Sequence, residues 1–249
     1  MELGLRLAHL YPKQMNLYGD RGNILCLRRR CAGRGIELTV DELEIGEPLD
    51  PAGCDLIFIG GAQDREQRRV AADLRAAKGD ALRQAVASGV VVLAVCGGYQ
   101  LLGRYYRPAE GEDLPGLGIF DTWTVHPGPA AKRFIGNVVV RWQGNTLVGF
   151  ENHGGRTFLG PAARPLARVI AGYGNNGRDG TEGVEQANAF GTYLHGSLLP
   201  KNPRFADHLI ALALARKYGE GGLSPLDDAL EEQAHAEAVR LAVRKPIFV

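Results

Sequence analysis

The stretch that most constrains this chain is Val90-Val91-Val92-Leu93-Ala94-Val95, which runs without interruption into Cys96-Gly97-Gly98. An apolar run this short, rich in β-branched residues and closed by glycines, predicts a strand buried on both faces. Such strands belong to parallel sheets covered by helices on either side. Asp55-Leu56-Ile57-Phe58-Ile59 repeats the pattern and ends in Gly60-Gly61, and the charged, alanine-rich segment from Glu66 to Ala87 between the two runs is long enough for a crossover helix. The beginning of the chain fits the same plan. Leu3 to Leu10 reads as a strand, Asn23 to Arg30 as a helix entered through the turn Gly19-Asp20-Arg21-Gly22, and Ile36 to Leu43 as a second strand.

Beyond Gly116 the pattern changes. Ile119 to Val125, Phe134 to Trp142, Thr146 to Glu151 and Val169 to Tyr173 are strand-like and separated by Gly, Pro and Asn turns, as added mixed or antiparallel strands would be. Asn188 to Leu194 adds a strand, and Pro203 to Tyr218 a helix with Phe205, Leu209, Leu212 and Ala213 at helical spacing. With 249 residues and 45% hydrophobic content, one large domain is expected. The reading is an α/β fold with a central, mostly parallel sheet flanked by helices, over residues 1–218. After Gly219-Glu220-Gly221-Gly222, residues 219–249 form a helical extension expected to pack on the core or on a partner.

The 29 basic and 28 acidic residues nearly cancel, so no net field draws in nucleic acid or an anionic membrane. No apolar run approaches the ~18 residues of a membrane span, and Met1-Glu2-Leu3-Gly4 does not begin a secretory signal, so a cytoplasmic protein without membrane insertion is expected. Cys26, Cys31, Cys54 and Cys96 show neither the spacing of a metal site nor the density of a disulfide framework. Reduced thiols and no metal are expected, the first three as small buried apolar side chains.

Cys96 differs because it sits where a buried strand turns abruptly into a helix, the nucleophile-elbow arrangement with sulfur in place of oxygen. Gly97 and Gly98 relieve the crowding of such a turn. The backbone amides of Gly97 and Gly61 are candidate oxyanion donors, since each follows the carboxyl end of a strand, where α/β sheets bind ligands. A tight strand-helix packing point would explain the same residues without chemistry. A nucleophilic cysteine needs a base, and His195 in Gly191-Thr192-Tyr193-Leu194-His195-Gly196 ends another apparent strand on the same sheet edge. His208 and His235 read as solvated, His9 as structural, and His126 and His153 as groups that could line a site.

Together, Ile59-Gly60-Gly61, Val95-Cys96-Gly97-Gly98-Tyr99-Gln100, Glu151-Asn152-His153-Gly154-Gly155 and Tyr193-Leu194-His195-Gly196 resemble the class I, triad-type glutamine amidotransferases, in particular their cobyric-acid-synthase-like branch, over about residues 1–215. The opening Tyr11-Pro12-Lys13-Gln14-Met15-Asn16-Leu17-Tyr18-Gly19-Asp20-Arg21-Gly22-Asn23 is most similar to the glutaminase subunits of lipid II isoglutaminyl synthases. The resemblance implies that Cys96 attacks glutamine's side-chain amide, that His195 assists formation and hydrolysis of a glutamyl thioester, and that ammonia passes to a heterodimeric partner. That partner would be a MurT-like, Mur-ligase-type synthase that uses ATP and Mg to amidate the D-glutamate of the lipid II stem peptide. This chain would hold no cofactor. Arg133, in Lys132-Arg133-Phe134-Ile135-Gly136-Asn137, matches the arginine that helps hold glutamine in this family, with Gln100, His153, Gly154 and Gly155 as further pocket walls. Glu151 and Asn152 could equally cap a loop.

Ordinary triad enzymes carry a glutamate two positions after the histidine, where this chain has Ser197. The resemblance therefore implies a chain without its own third member, completed by an aspartate of the synthase subunit and a poor glutaminase alone. Alternative readings are an amidotransferase for cobyrinate or a similar corrinoid, a non-catalytic regulatory subunit, and a cysteine peptidase-like protein.

Overall fold

A computed structural model describes residues 3–244; Met1, Glu2 and residues 245–249, the last of the expected extension, lie outside it. The chain begins β1 (Leu3–Leu10), α1 (Arg21–Ala32), β2 (Ile36–Leu43), β3 (Leu56–Ile59), α2 (Asp64–Asp73), a π-helical turn (Leu74–Lys78), α3 (Gly79–Ala87), β4 (Val91–Val95) and α4 (Gly97–Leu102). It continues through β5 (Tyr105–Arg107), β6 (Leu114–Pro115), β7 (Thr122–Val125), β8 (Phe134–Trp142), β9 (Asn145–His153), β10 (Arg156–Leu159), β11 (Ala167–Ala171), β12 (Thr181–Glu182), β13 (Val184–Gln186) and β14 (Ala189–Thr192). Helices α5 (Pro203–Tyr218) and α6 (Ala229–Arg244) finish it.

The central sheet runs β13-β14-β4-β3-β1-β2, parallel throughout except for β13 at the edge. Every residue of β3 and β4 is buried, as their unbroken apolar sequences require. The register decides the rest: Ile59 pairs with Ala94 and Thr192 with Val95, so β3, β4 and β14 end side by side and their next residues meet on one edge. Helix α5 covers one face with Phe205, Leu209, Ile210 and Ala213 fully buried.

Between β3 and β4 the chain forms two helices rather than the single crossover helix its length suggests. The break is the π turn ending at Lys78, a lysine with no exposed surface whose Nζ donates to Asp73 Oδ2 at 2.7 Å and to the Glu44 carbonyl at 2.9 Å. Asp73 also accepts from the Tyr11 hydroxyl at 2.7 Å, so the widened turn lets a buried charge reach a full set of partners.

The added strands form two four-stranded sheets, β10-β7-β5-β6 and β12-β11-β8-β9. Strands β8 and β9 make a hairpin across Gln143-Gly144, both with positive φ (45° and 79°), the handedness two-residue hairpin turns favour. One end of the hairpin carries His153 toward the edge where β3, β4 and β14 finish, joined to it by paired backbone bonds between Phe150 and His195. Helix α6 lies against the same hairpin: Ala242 packs with Val139 and Val148, and His235 contacts Thr146 Oγ1 and the Lys201 carbonyl, each at 2.7 Å. Its approach is tied by Asp228, which shares the buried Arg30 guanidinium with Asp207. His235 is thus an anchor rather than a solvated group, and His208 is packed among Trp142, Phe190 and Phe205.

Candidate active site

Cys96 sits at the top of β4 with φ 49° and ψ −103°, a backbone conformation that costs a side-chain-bearing residue on the order of 1–3 kcal/mol. Two bonds hold it there: its amide donates to the Thr192 carbonyl at 2.8 Å, and its carbonyl accepts from the Gln100 amide at 2.9 Å. The glycines around it are sterically required. A Cβ on Gly98 would stand 2.7 Å from the Ile59 carbonyl, and one on Gly61 2.8 Å from the His195 ring and 3.4 Å from Cys96 Cβ.

His195 has no exposed surface and stands beside Cys96 and Asp20. Burial alone would drive the imidazole neutral, but the adjacent Cys96 sulfur and the Asp20 carboxylate outweigh it and hold the ring up at about 10. The arrangement suits a thiolate-imidazolium pair, a charged nucleophile whose neighbour can return a proton to a leaving group.

Asp20 is the residue whose part sequence reasoning missed. It stands immediately before α1, is fully buried, and places Oδ1 3.5 Å from His195 Nδ1, leaving Nε2 for the sulfur. The resemblance implied a chain without a third member, and Ser197 indeed points elsewhere, donating its hydroxyl to the Gly19 carbonyl at 2.7 Å. That bond draws the turn of residues 19–22 against the histidine loop, so an acid from the first turn of the fold occupies the space beside Nδ1. The available signal was Asp20 lying in the Tyr11–Asn23 segment, where it read only as a helix entry.

Asp20 also alters the expected oxyanion hole. Its Oδ2 accepts the Gly61 amide at 2.6 Å, so that amide is committed to a carboxylate and does not face the sulfur as an open donor. The Gly60-Gly61 loop instead brings the Ala62 amide nitrogen to 2.9 Å from where a Cβ on Gly97 would be. Gly98 donates to the Gly60 carbonyl, whereas the amide of Gly97, first residue of α4, has no acceptor within its own helix. Gly97 and Ala62 are therefore the pair of amides placed to meet a developing oxyanion at the elbow.

A cavity of about 570 Å³ opens above Cys96, lined by Gln100, Arg133, His153, Gly154 and Gly155 among others. Five expected pocket residues thus converge on the thiol, while His195, Gly61 and Gly97 lie in the layer behind it. Arg133 spans the mouth, donating through Nε to Asn152 Oδ1 at 3.0 Å and through Nη2 to the Asn152 carbonyl at 3.1 Å. His153 Nδ1 donates to the Gly155 carbonyl at 2.8 Å, and its ring stacks on Tyr193 at 3.6 Å; burial keeps it neutral against the nearby Glu151. Glu151 itself accepts the Tyr173 and Gly174 amides, a loop-capping role. The remaining cysteines are inert by comparison, since burial pushes their thiols up to about 12 at Cys26 and Cys31 and about 11 at Cys54.

Behind the histidine strand, Glu182 accepts the Tyr193 amide at 2.7 Å and the Thr192 hydroxyl at 3.1 Å. Complete burial raises its carboxyl to about 8 from an ordinary 4.5. The folded protein then keeps a proton that the unfolded chain releases, so stability falls as pH rises from about 4.5 through about 8. Glu182→Gln should remove this fall. Its melting temperature relative to wild type is expected to rise between pH 5 and pH 8, at roughly 2–4 °C per kcal/mol; a constant difference would exclude a protonated Glu182.

Residues 6–203 match the family model for CobB/CobQ-like glutamine amidotransferase domains. This chain belongs to that family. The amidotransferase is 41% identical over 235 residues, 94% of this chain and 89% of the relative, to the lipid II isoglutaminyl synthase (glutamine-hydrolyzing) subunit GatD of Streptococcus pneumoniae. It is 39% identical to GatD of Staphylococcus aureus, over 97% of both chains. A cobyric acid synthase of Pelotomaculum thermopropionicum is more distant, 34% identical over 76% of this chain but only 36% of that enzyme. Among solved structures, the glutaminase domain of Trypanosoma brucei CTPS with bound acivicin covers 86% of this chain and 95% of its own (TM-score 0.56, 15% identity). A glutamine amidotransferase of Thermotoga maritima covers 96% and 94% (TM-score 0.54, 16% identity). At these identities the likeness speaks for the fold: the amidotransferase has the α/β architecture of its class, and none of its helices among the described residues is long and apolar enough to cross a membrane.

Proposed function

We propose that this amidotransferase is the glutaminase subunit of a lipid II isoglutaminyl synthase, working in the cytoplasm with a MurT-like, Mur-ligase-type partner. The observation that carries the reading is end-to-end similarity to two GatD subunits, 94% and 97% of this chain, combined with a Cys96, His195 and Asp20 constellation at the base of a cavity of about 570 Å³. Cys96 attacks the side-chain carbonyl of glutamine, and the oxyanion is met by the amides of Gly97 and Ala62. His195 passes its proton to the leaving nitrogen, which departs as ammonia and leaves a glutamyl thioester. It then takes a proton from water, whose oxygen attacks the thioester carbonyl and releases glutamate and the Cys96 thiolate. Asp20 holds Nδ1–H throughout, which keeps Nε2 directed at the reacting atoms. Arg133 and Gln100 hold the substrate.

The ammonia serves the partner, which uses ATP and Mg to activate the D-glutamate carboxylate of the lipid II stem peptide; this chain needs no cofactor for its own half. Acceptor and donor halves separate experimentally. With the MurT-like subunit, ATP, Mg, glutamine and lipid II, the expected product is the D-isoglutamine form. Amidated cobyrinate with unamidated lipid II would support the corrinoid alternative. Failure of acivicin to label Cys96 would remove the glutaminase reading itself.

A further inference from the structure

Gln67 on α2, only 2% exposed, lines the same cavity as Cys96 and Gln100 and takes no part in the bond making described above. Its Nε2 stands 3.1 Å from the Ala62 carbonyl and 3.0 Å from Gln100 Oε1. Chemistry fixes the direction of every bond that follows. A carbonyl only accepts, so the Gln67 atom facing Ala62 must be its nitrogen, and the second proton of that nitrogen must go to the oxygen of Gln100. The Gln100 nitrogen is thereby turned to the Tyr193 hydroxyl at 3.1 Å, which in turn meets Thr157 Oγ1 at 2.6 Å, and Thr157 meets Thr124 Oγ1 at 2.7 Å. One backbone carbonyl thus orients a buried series of side chains that passes through Tyr193, two residues before His195, and ends at Thr124 on β7.

Without Gln67, the amide of Gln100 could face either way at little cost, because the Tyr193 hydroxyl can donate as well as accept. We propose that Gln67 is a positioning residue that locks the Gln100 side-chain amide in one of its two orientations, and so sets the donor and acceptor pattern that the cavity wall presents to glutamine. The proposal rests on the glutaminase reading, in which Gln100 is a substrate wall. Its physical content is that a wall with its amide reversed offers a donor where the substrate needs an acceptor, a mismatch felt in binding rather than in bond making. Gln67 also packs closely against the elbow, with Nε2 3.0 Å from where a Gly97 Cβ would be.

The test is Gln67→Glu, which keeps the shape but replaces the orienting donor by an acceptor. The variant should raise the glutamine concentration that half-protects Cys96 from acivicin, and KM in the assembled synthase, by roughly tenfold with a much smaller change in kcat, tenfold being what about 1.4 kcal/mol of binding produces. In a Gln100→Ala background the same change should have less than about a twofold effect, since the residue through which Gln67 acts is gone. Gln67→Met, apolar and of similar length, should fall between the two and serves if the glutamate variant does not fold. Unchanged protection and KM in either Gln67 variant, or an undiminished effect in the Gln100→Ala background, would overturn the proposal. Wild-type protein that acivicin does not label would instead sink the glutaminase reading on which it rests.

Discussion

Replacing Cys96 by alanine is expected to abolish glutamine hydrolysis and ammonia transfer while leaving the fold intact. The residual rate should be that of water attacking an amide held near an oxyanion hole, and loss of a covalent nucleophile of this type lowers turnover by on the order of 10⁶-fold. Alanine keeps the Cβ that is strained at a φ of 49°, so the strain is unchanged and no loss of stability is expected from it. A second consequence separates a chemical role from a structural one. His195 is held up at about 10 partly by the charge on the Cys96 sulfur, so in Cys96→Ala its titration should move down, toward the neutral ring that burial favours. Ring proton or nitrogen chemical shifts followed against pH read this directly. Wild-type turnover in the variant, or an unmoved His195 titration, would contradict the thiolate-imidazolium pair.

Asp20→Asn carries the second-largest expected effect and decides which chain supplies the third member. Asparagine can still accept the Gly61 amide through its oxygen, but it then presents NH₂ to His195 Nδ1, setting donor against donor and favouring the wrong tautomer. Turnover should fall by about 10²- to 10⁴-fold with little change in KM. The contact in the resting protein is loose, 3.5 Å, which places the expectation toward the lower end. The assembled synthase is the discriminating material. If an aspartate of the partner completes the triad, Asp20→Asn in the complex should lose less than about twofold, whereas an intrachain triad predicts the full loss with or without the partner.

The pH dependence of that variant has a definite sign. His195 is raised from 6.5 to about 10, so its partners contribute stability that is complete below about 6.5 and disappears as pH rises through about 10. Removing the Asp20 carboxylate should therefore destabilise the protein more near pH 6 than above pH 10, and the gap between wild-type and variant unfolding free energies should close as pH rises. A gap independent of pH would mean that Asp20 acts through the Gly61 amide alone. In kinetics, the same substitution should bring the alkaline limb of the turnover profile to lower pH, because the imidazolium loses its proton earlier.

These two residues mark the boundary between what was readable in the chain and what was not. The elbow was readable because its causes are local. Five apolar residues in a row must be buried on both faces, and a thiol followed by Gly97 and Gly98 is a turn that only residues without side chains can complete. The same holds for the ends of β3 and β14, and hence for His195 and Gly61 reaching the edge where Cys96 stands. The segment Glu66–Ala87 read as a single crossover helix, where the structure has two, because apolar spacing does not register a buried lysine such as Lys78, whose partners Asp73 and Glu44 come from an adjoining helix and a distant loop.

Direction was what sequence could not supply. Nothing in Gly60-Gly61 indicates that the Gly61 amide turns to Asp20 while the loop carries Ala62 toward the elbow, and nothing in Gly19-Asp20-Arg21-Gly22 indicates that Ser197 will draw this turn against His195. Glu182 and Gln67 were equally silent, since each acquires its meaning only from partners far along the chain. The sequence by itself determined the parallel sheet, the strained thiol and the histidine on the same edge, because apolar run length and glycine sterics act between neighbours. Only the tertiary structure decided which carboxylate stands beside His195 and which amides lie at the elbow, because hydrogen bonds between distant loops depend on distances and angles that no local pattern encodes.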